Sequence, residues 1–387
     1  MSLADGHPAL ALLYAELGYD QPELRSAADR HLRAAVAAGR RPAAEGLFCG
    51  LPALAFAARA SAARDGDYAG LLAAADRQIA ELVGQLVAGD SARRAAGAPH
   101  ASAGGYDVVS GLTGLGRYLL AGGAEQRPTL RALLTALVAD ATRSDWWIRG
   151  AGERHRDDYA YPGLAHGVAG PLALLALATE RGVRVRGQDE AVATMATWLL
   201  DGRARDAHGP YWPRLFERPD RPAGARPDPP HPDRTAWCHG PAGAAAALAL
   251  AGRALGERSW ASDAADALRC ALDRPPDQQR VVDASLCHGW GGLLHITGLV
   301  ARVSGDPVLG ARLPELAARA MEFADPAQPY VFSVPASPAG SSTSSRLHIP
   351  GFLDGAAGTA LALHAWLSGD RREPPDRPHW SAALLLS

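Results

Sequence analysis

Apolar residues along this chain gather into Ala- and Leu-rich stretches, among them 129–137, 171–179, 244–255 and 313–321, separated by short polar or glycine-bearing segments. Strong helix formers dominate these stretches. The period-two alternation of β-branched residues that marks half-buried strands is scarce, so the pattern predicts an all-α chain. Only 330–334 (YVFSV) has the composition of a strand, and it is short enough to end as a loop edge.

One punctuation recurs before the apolar runs. It reads SGLTGLGRYLL from Ser110, HGVAGPLALLALA from His166, HGPAGAAAALALAG from His239, HGWGGLLHITG from His288 and DGAAGTALALHAW from Asp354. A degenerate copy, CGLPALAFAA from Cys49, has alanine at the second glycine position. The first glycines, Gly50, Gly111, Gly167, Gly240, Gly289 and Gly355, are 49 to 73 residues apart, which leaves room for two helices and their connections. Repeats of this size stack as helical hairpins around a continuous core. The expectation is a single domain over 1–387, an (α/α) toroid or barrel of about six to seven hairpins. The helices that follow the turns are too apolar all round to lie on the surface, so they form the inner layer and all start at one end. Two segments break the rhythm, 216–232, dense in Pro and Arg, and 326–350, rich in Pro and Ser. Both read as long loops overhanging a mouth.

Composition narrows the class. With 387 residues, 48% hydrophobic and 21% charged, the chain can bury a large core. A net charge of -2 and a pI near 6.7 exclude a general attraction to nucleic acid or anionic membrane. The first twenty residues lack the basic and apolar regions of a signal peptide, and no stretch reaches the roughly 18 apolar residues of a membrane span. The expectation is a cytoplasmic protein without a membrane span, with room for peripheral association only. Four cysteines, Cys49, Cys238, Cys270 and Cys287, are too few and scattered for a disulfide framework and read as thiols.

If the turns are equivalent, residues at matching offsets crowd together at the mouth. One position before the first glycine stand Cys49, Ser110, His166, His239, His288 and Asp354, and two positions before stand Cys238 and Cys287. The paired Cys-His-Gly copies supply two thiols and two imidazoles, the soft and borderline donors that zinc takes in tetrahedral geometry. Cys238, Cys287 and His288 are the expected ligands, with a fourth position open as in catalytic sites. Their helix N-termini also favour thiolate. Cys270, inside AADALRCALD, and Cys49, without a histidine beside it, read as small apolar fillers. His166 comes from a turn without cysteine and suits a general acid or base, or else a cap of its turn. Asp107 and Arg234 precede their first glycines by four and six residues, so both can reach the rim, where they are either pocket residues or ordinary surface charges.

YDVVSGLTGLGRYLL, YPGLAHGVAG, DRTAWCHGPAG and SLCHGWGG, in this order and within a match running from Cys49 to Asp354, resemble the lanthionine synthetase C-like family. The resemblance implies a toroid with Zn2+ at one end, held by Cys238, Cys287 and His288, and a pocket lined by His166, Asp107 and Arg234. It implies a lanthipeptide cyclase. A substrate cysteine thiolate would add to dehydroalanine or dehydrobutyrine in a dehydrated precursor peptide of leader plus core, closing (methyl)lanthionine thioether rings. His166 would protonate the enolate, Arg234 would stabilise its oxygen and Asp107 would orient His166. The family commonly has tyrosine after the first zinc cysteine. Here His239 stands there, as a pocket residue or a rival metal ligand. The sequence shows no kinase-like Gly-rich loop and no dehydratase domain, which implies a separate dehydratase partner. Two alternatives share the zinc site: addition of glutathione or another thiol to dehydroamino acids, and a non-catalytic zinc-bearing scaffold in which His239 closes the coordination sphere. Neither the paired carboxylates of a glycosidase nor an aspartate-rich prenyl-diphosphate motif is evident.

Overall fold

The longest apolar runs form helices covered on every side: residues 169–179, 241–252 and 291–300 are buried without a break. Other helices bury one stripe only. The 27-residue helix Ala69–Ala95 buries just Ala75, Ile79 and Val83, one residue per turn or so on a single face. This contrast separates an inner from an outer layer.

The computed structural model describes residues 2–39, 46–144, 146–150, 158–217, 234–336, 346–369 and 377–387. Among them are fourteen α-helices: α1 (His7–Leu17), α2 (Arg25–Ala37), α3 (Gly50–Ser61), α4 (Ala69–Ala95), α5 (Leu112–Leu120), α6 (Arg127–Thr142), α7 (Ala169–Glu180), α8 (Gln188–Asp201), α9 (Pro241–Leu255), α10 (Arg258–Leu272), α11 (Pro276–Gln279), α12 (Trp290–Ser304), α13 (Pro307–Met321) and α14 (Ala356–Ser368). Helices α1, α3, α5, α7, α9, α12 and α14 pack side by side, and α14 returns to α1 to close a ring. Helices α2, α4, α6, α8, α10 and α13 each lie against the inner helix before them, giving six hairpins and a last inner helix. Three antiparallel strand pairs decorate the loops: Tyr159–Ala160 with Phe216–Glu217, Ala204–Asp206 with Gly209–Tyr211, and Val334–Pro335 with Arg346–Leu347. Of the expected strand 330–334, Val334 pairs with Leu347 and Phe332 makes an isolated bridge to Ala324, because Val331 turns to a positive φ of 64° and breaks the extended run. Most of the expected loop 216–232, and 337–345 of the second, lie outside the described residues.

Seven turns start the seven inner helices, one more than the repeat pattern counted. The extra one is Asp5-Gly6, where Gly6 caps α1 within DGHPALALL. Like the Cys49 copy, it has alanine in place of the second glycine, here Ala9. Main-chain hydrogen bonds join all seven into a closed belt. Leu3 N–H donates to Phe48 O (2.9 Å), Phe48 to Val109 (3.4 Å), Val108 to Ala165 (3.0 Å), Ala165 to Cys238 (3.3 Å), Cys238 to Cys287 (3.3 Å), Cys287 to Leu353 (2.9 Å) and Phe352 to Ala4 (2.7 Å). Buried peptide groups must find partners, and here each turn satisfies the next. The second glycine of the motif is required by close approach: a Cβ at Gly114, Gly292 or Gly358 would sit 1.9–2.0 Å from a carbonyl oxygen of its own turn.

Residues 377–387 fill the bore. Every residue from Trp380 to Leu386 is buried, and each enclosed leucine contributes roughly 1.5–3 kcal/mol relative to exposure. Trp380 packs on His295 of α12 and on Phe352. Trp237 Nε1 donates to Leu384 O (3.0 Å), and buried Arg117 of α5 donates to the Ser387 main-chain oxygen through Nε and Nη2 (3.1 and 2.9 Å). Phe48, Trp237 and Phe352, which come from the turns themselves, form an aromatic floor over this segment.

Candidate metal centre and pocket

Three neighbouring turns of the belt, those before α7, α9 and α12, carry His166, the pair Cys238–His239 and the pair Cys287–His288. They are held close by backbone. Ala165 N–H bonds to Cys238 O, Cys238 N–H bonds to Cys287 O, and a Cβ on Gly163 would strike Cys238 O at 2.5 Å. The consequence is that Cys238 Sγ, Cys287 Sγ and a ring nitrogen of His288 all lie within 4.8 Å of one another.

Electrostatics divides the two thiols. The hydrogen bond from Cys287 holds the Cys238 thiol well below the usual cysteine range against the penalty of burial, helped by His288 and His239. The same bond, with burial, pushes Cys287 up. Burial pulls the His288 imidazole down, but Cys238, Asp283 and Asp354 outweigh it and raise its pKa. Asp283 Oδ2 is 3.5 Å from His288 Nε2 and Asp354 Oδ1 is 3.6 Å from Nδ1, so a carboxylate faces each ring nitrogen. Both of these oxygens are buried without a hydrogen-bond partner. Two thiols and an imidazole, with unsatisfied carboxylate oxygens beside them, fit a divalent cation of borderline softness such as zinc.

Across from the thiols, Asp107 organises His166. Its Oδ1 accepts the Ser110 N–H (2.7 Å) and its Oδ2 accepts the His166 Nδ1–H (2.7 Å). The Asp107 side chain is 4% exposed and that of His166 38%, so the carboxylate is fixed while the imidazole reaches the pocket. Burial lowers the His166 pKa, and the hydrogen bond and charge of Asp107, then Cys238, raise it by more. His239 lies outside the cysteine–histidine group, its ring 5.8 Å from that of His166 and 5.6 Å from that of Tyr161. Arg234 opens the segment that leads to Cys238, half-buried, next to a Thr235 N–H tied to Gln279 O.

A family model described as a lanthionine synthetase C-like protein matches residues 1–385. The chain belongs to the lanthionine synthetase C-like family. Among solved structures, one named "Nisin cyclase" superimposes with a TM-score of 0.77 at 19% sequence identity, covering 100% of this chain and 92% of that chain. That likeness shows a shared helical toroid. No curated protein sequence matches significantly. In this family member no helix among the described residues is long and apolar enough to cross a membrane.

Two further residues escaped the motif reading: Tyr161 and Asp283 each sit six residues before their first glycines, Gly167 and Gly289, the offset that Arg234 has from Gly240, and their carbonyls accept equivalent bonds from Val168 and Trp290 N–H. A further group, Asp90, His100 and Asp140, also brings three ligand-type atoms within 4.8 Å, between α4, α6 and the segment that follows α4. It was not foreseen, since its members share no repeat position.

Proposed function

We propose that this protein is a zinc-dependent lanthipeptide cyclase, acting on a dehydrated precursor peptide supplied by a separate dehydratase in the cytoplasm. The observation that carries the reading is the juxtaposition, on adjacent turns, of the Cys238–Cys287–His288 donor set with the His166–Asp107 pair. The likeness to a protein named nisin cyclase supports it. When bound by Cys238, Cys287 and His288, zinc would supply a Lewis acid that keeps a substrate thiol deprotonated near neutral pH.

The remaining work falls to the chain's own residues. In the reaction a substrate S–H loses its proton, a bond forms from sulfur to the β-carbon of the dehydroamino acid, and the α-carbon must gain a proton. His166 delivers it. Its Nδ1–H is committed to Asp107, so Nε2 is the nitrogen that exchanges protons, and the raised pKa keeps a protonated fraction available near neutral pH. Asp107 acts through His166 by fixing its tautomer and supporting its charged form. Arg234 stabilises the developing enolate oxygen. His239 sits against His166 and Tyr161 rather than with the thiols, which favours an open fourth position over a closed structural site.

Zinc content by elemental analysis, paired with thiol consumption in a dehydrated peptide, tests the proposal. One zinc per chain, lost in Cys238→Ala, Cys287→Ala and His288→Ala and retained in His239→Ala, is the expected result. Zinc that requires His239, with no thiol consumption by the wild-type chain, would replace the cyclase by a scaffold.

A further inference from the structure

The two carboxylates that flank His288 differ in a way that distinguishes their roles. Asp283 has no exposed side-chain surface, whereas the Asp354 side chain is 39% exposed. Asp283 is folded beneath its turn: Oδ1 accepts the Ser285 N–H (2.8 Å), its carbonyl accepts the Trp290 N–H (3.0 Å), and a Cβ on Gly289 would meet Oδ1 at 2.3 Å. The whole Asp283–Trp290 turn, which carries Cys287 and His288, is wrapped around this one side chain. Oδ2 is left over, buried, without a hydrogen-bond partner, and 3.5 Å from His288 Nε2. An ionised acceptor is seldom buried with an oxygen unused, and the group set before this one is an imidazole N–H.

We propose that Asp283 is the positioning residue that selects which nitrogen of His288 meets the metal, a deepening that rests on the zinc reading above. Its Oδ2 takes the Nε2–H, so His288 is held in the tautomer whose lone pair is on Nδ1. The Asp354 side chain, partly exposed although its Oδ1 is buried, marks the side from which a metal and a thiol can arrive, and Nδ1 is found there. A neutral Nδ1 lone pair and the Asp354 carboxylate repel each other unless a cation lies near both, so the donor set is arranged for metal on that face. Metal-ligating histidines in general donate their second N–H to such a carboxylate, and loss of the partner weakens the metal by about 10- to 100-fold.

Nitrogen-15 NMR of ring-labelled histidine in the zinc-loaded protein reads the tautomer directly and needs no variant. The expected spectrum has His288 Nε2 protonated and Nδ1 metal-bound. Asp283→Asn supplies the second measurement. The amide oxygen keeps the Ser285 N–H and so the turn, but the NH2 group now donates to Nε2 and favours the wrong tautomer. Zinc affinity, read by competition with a chelator, is expected to fall about 10- to 100-fold with the circular dichroism unchanged. Asp354→Asn, on the open side, keeps the wild-type tautomer. Metal on Nε2 in the wild-type chain, or wild-type affinity in Asp283→Asn, overturns the role of Asp283 while leaving the zinc site standing. Absence of zinc from the wild-type chain overturns both, and is recognised before any variant is made.

Discussion

Cys238, Cys287 and His288 gather where the turns before α9 and α12 meet, and Asp90, His100 and Asp140 gather where α4 faces α6, each set with ligand atoms within 4.8 Å. Proximity does not separate them; their neighbours do. In the second group Arg93 Nη2 lies 2.9 Å from Asp90 and 2.8 Å from Asp140, and Arg94 bonds Asp90 and reaches Asp140 at 3.0 Å. Two guanidinium groups already occupy the place a cation would take and satisfy the carboxylates by hydrogen bonds. His100 meets Tyr106 in a T-shaped ring contact, with Nε2 3.7 Å from Asp140. In the first group the donors are softer, the adjacent charges are carboxylates, and oxygens are left unsatisfied. Of the two groups, then, only the first has buried charge left for a cation to cancel. The largest expected effect tests this division. Cys238→Ala or Cys287→Ala removes zinc altogether, whereas Asp140→Asn keeps one zinc per chain by elemental analysis; zinc loss in Asp140→Asn alone would reverse the assignment.

The next effects concern what a carboxylate does for the histidine beside it. At His166 the partner Asp107 is satisfied by a backbone N–H and not by arginine, so its charge acts on the imidazole. His166→Asn is expected to slow thioether formation by roughly 10²–10⁴-fold with zinc retained. Asp107→Asn removes the charge that raises the His166 pKa. The pKa read from the pH profile of kcat/KM should therefore move to lower pH, and a shift upward would show that Asp107 does not support the protonated form. In the arginine-filled group the carboxylate serves stability instead. Asp140→Asn leaves Arg93 and Arg94 to share Asp90 alone in a mostly buried setting and is expected to cost about 1.5–3 kcal/mol in urea unfolding, the usual worth of a hydrogen bond to a charged group.

The mouth was legible in the sequence because its geometry is set by backbone repeats. A Cβ at Gly114, Gly292 or Gly358 would collide with a carbonyl oxygen at 1.9–2.0 Å, so glycine at this position marks the turn in the sequence. The turns at Gly6 and Gly50 have alanine at the second position, and the first of these was overlooked for want of that mark. His166, Cys238, Cys287 and His288 could be aligned by offset because the belt bonds equivalent positions to one another. Asp283 shares an offset of six with Tyr161 and Arg234, but three different side chains stand there, so the offset carries no common chemistry to read. The Arg93–Asp140 network joins residues 47 apart in sequence on two amphipathic helices, where each charge alone reads as a solvated face. The bore segment was illegible for a different reason: WSAALLLS has no helical period to announce where it lies, and only the closed ring shows that it belongs inside.

A third kind of buried histidine sharpens the comparison at smaller cost. His295 is set against Trp380, and burial, reinforced by the charge of Arg302, drops its pKa to about 3. The unfolded chain takes up this proton near pH 6.5 and the folded chain does not until about pH 3. Stability is thus unaffected by His295 above pH 6.5 and falls as pH drops below it, by up to about 1.4 kcal/mol per unit. Urea unfolding of His295→Leu should lose less stability than the wild type between pH 7 and pH 5, by roughly 2 kcal/mol. Equal losses would mean that the folded site accepts the proton.

The smallest effect asks whether the turn that carries Cys238 depends on the filled bore beneath it. Trp237 precedes Cys238 and donates Nε1–H to Leu384 O. Trp237→Phe keeps the aromatic floor with Phe48 and leaves that carbonyl unpaired, at an expected cost of about 1–2 kcal/mol in urea unfolding. Cys238 itself is held by main-chain bonds on both sides, from Ala165 N–H and to Cys287 O. Zinc stoichiometry should therefore persist in Trp237→Phe while stability falls. A parallel loss of zinc would mean that the belt needs the segment in the bore, and that the centre is positioned from below as well as from its neighbouring turns.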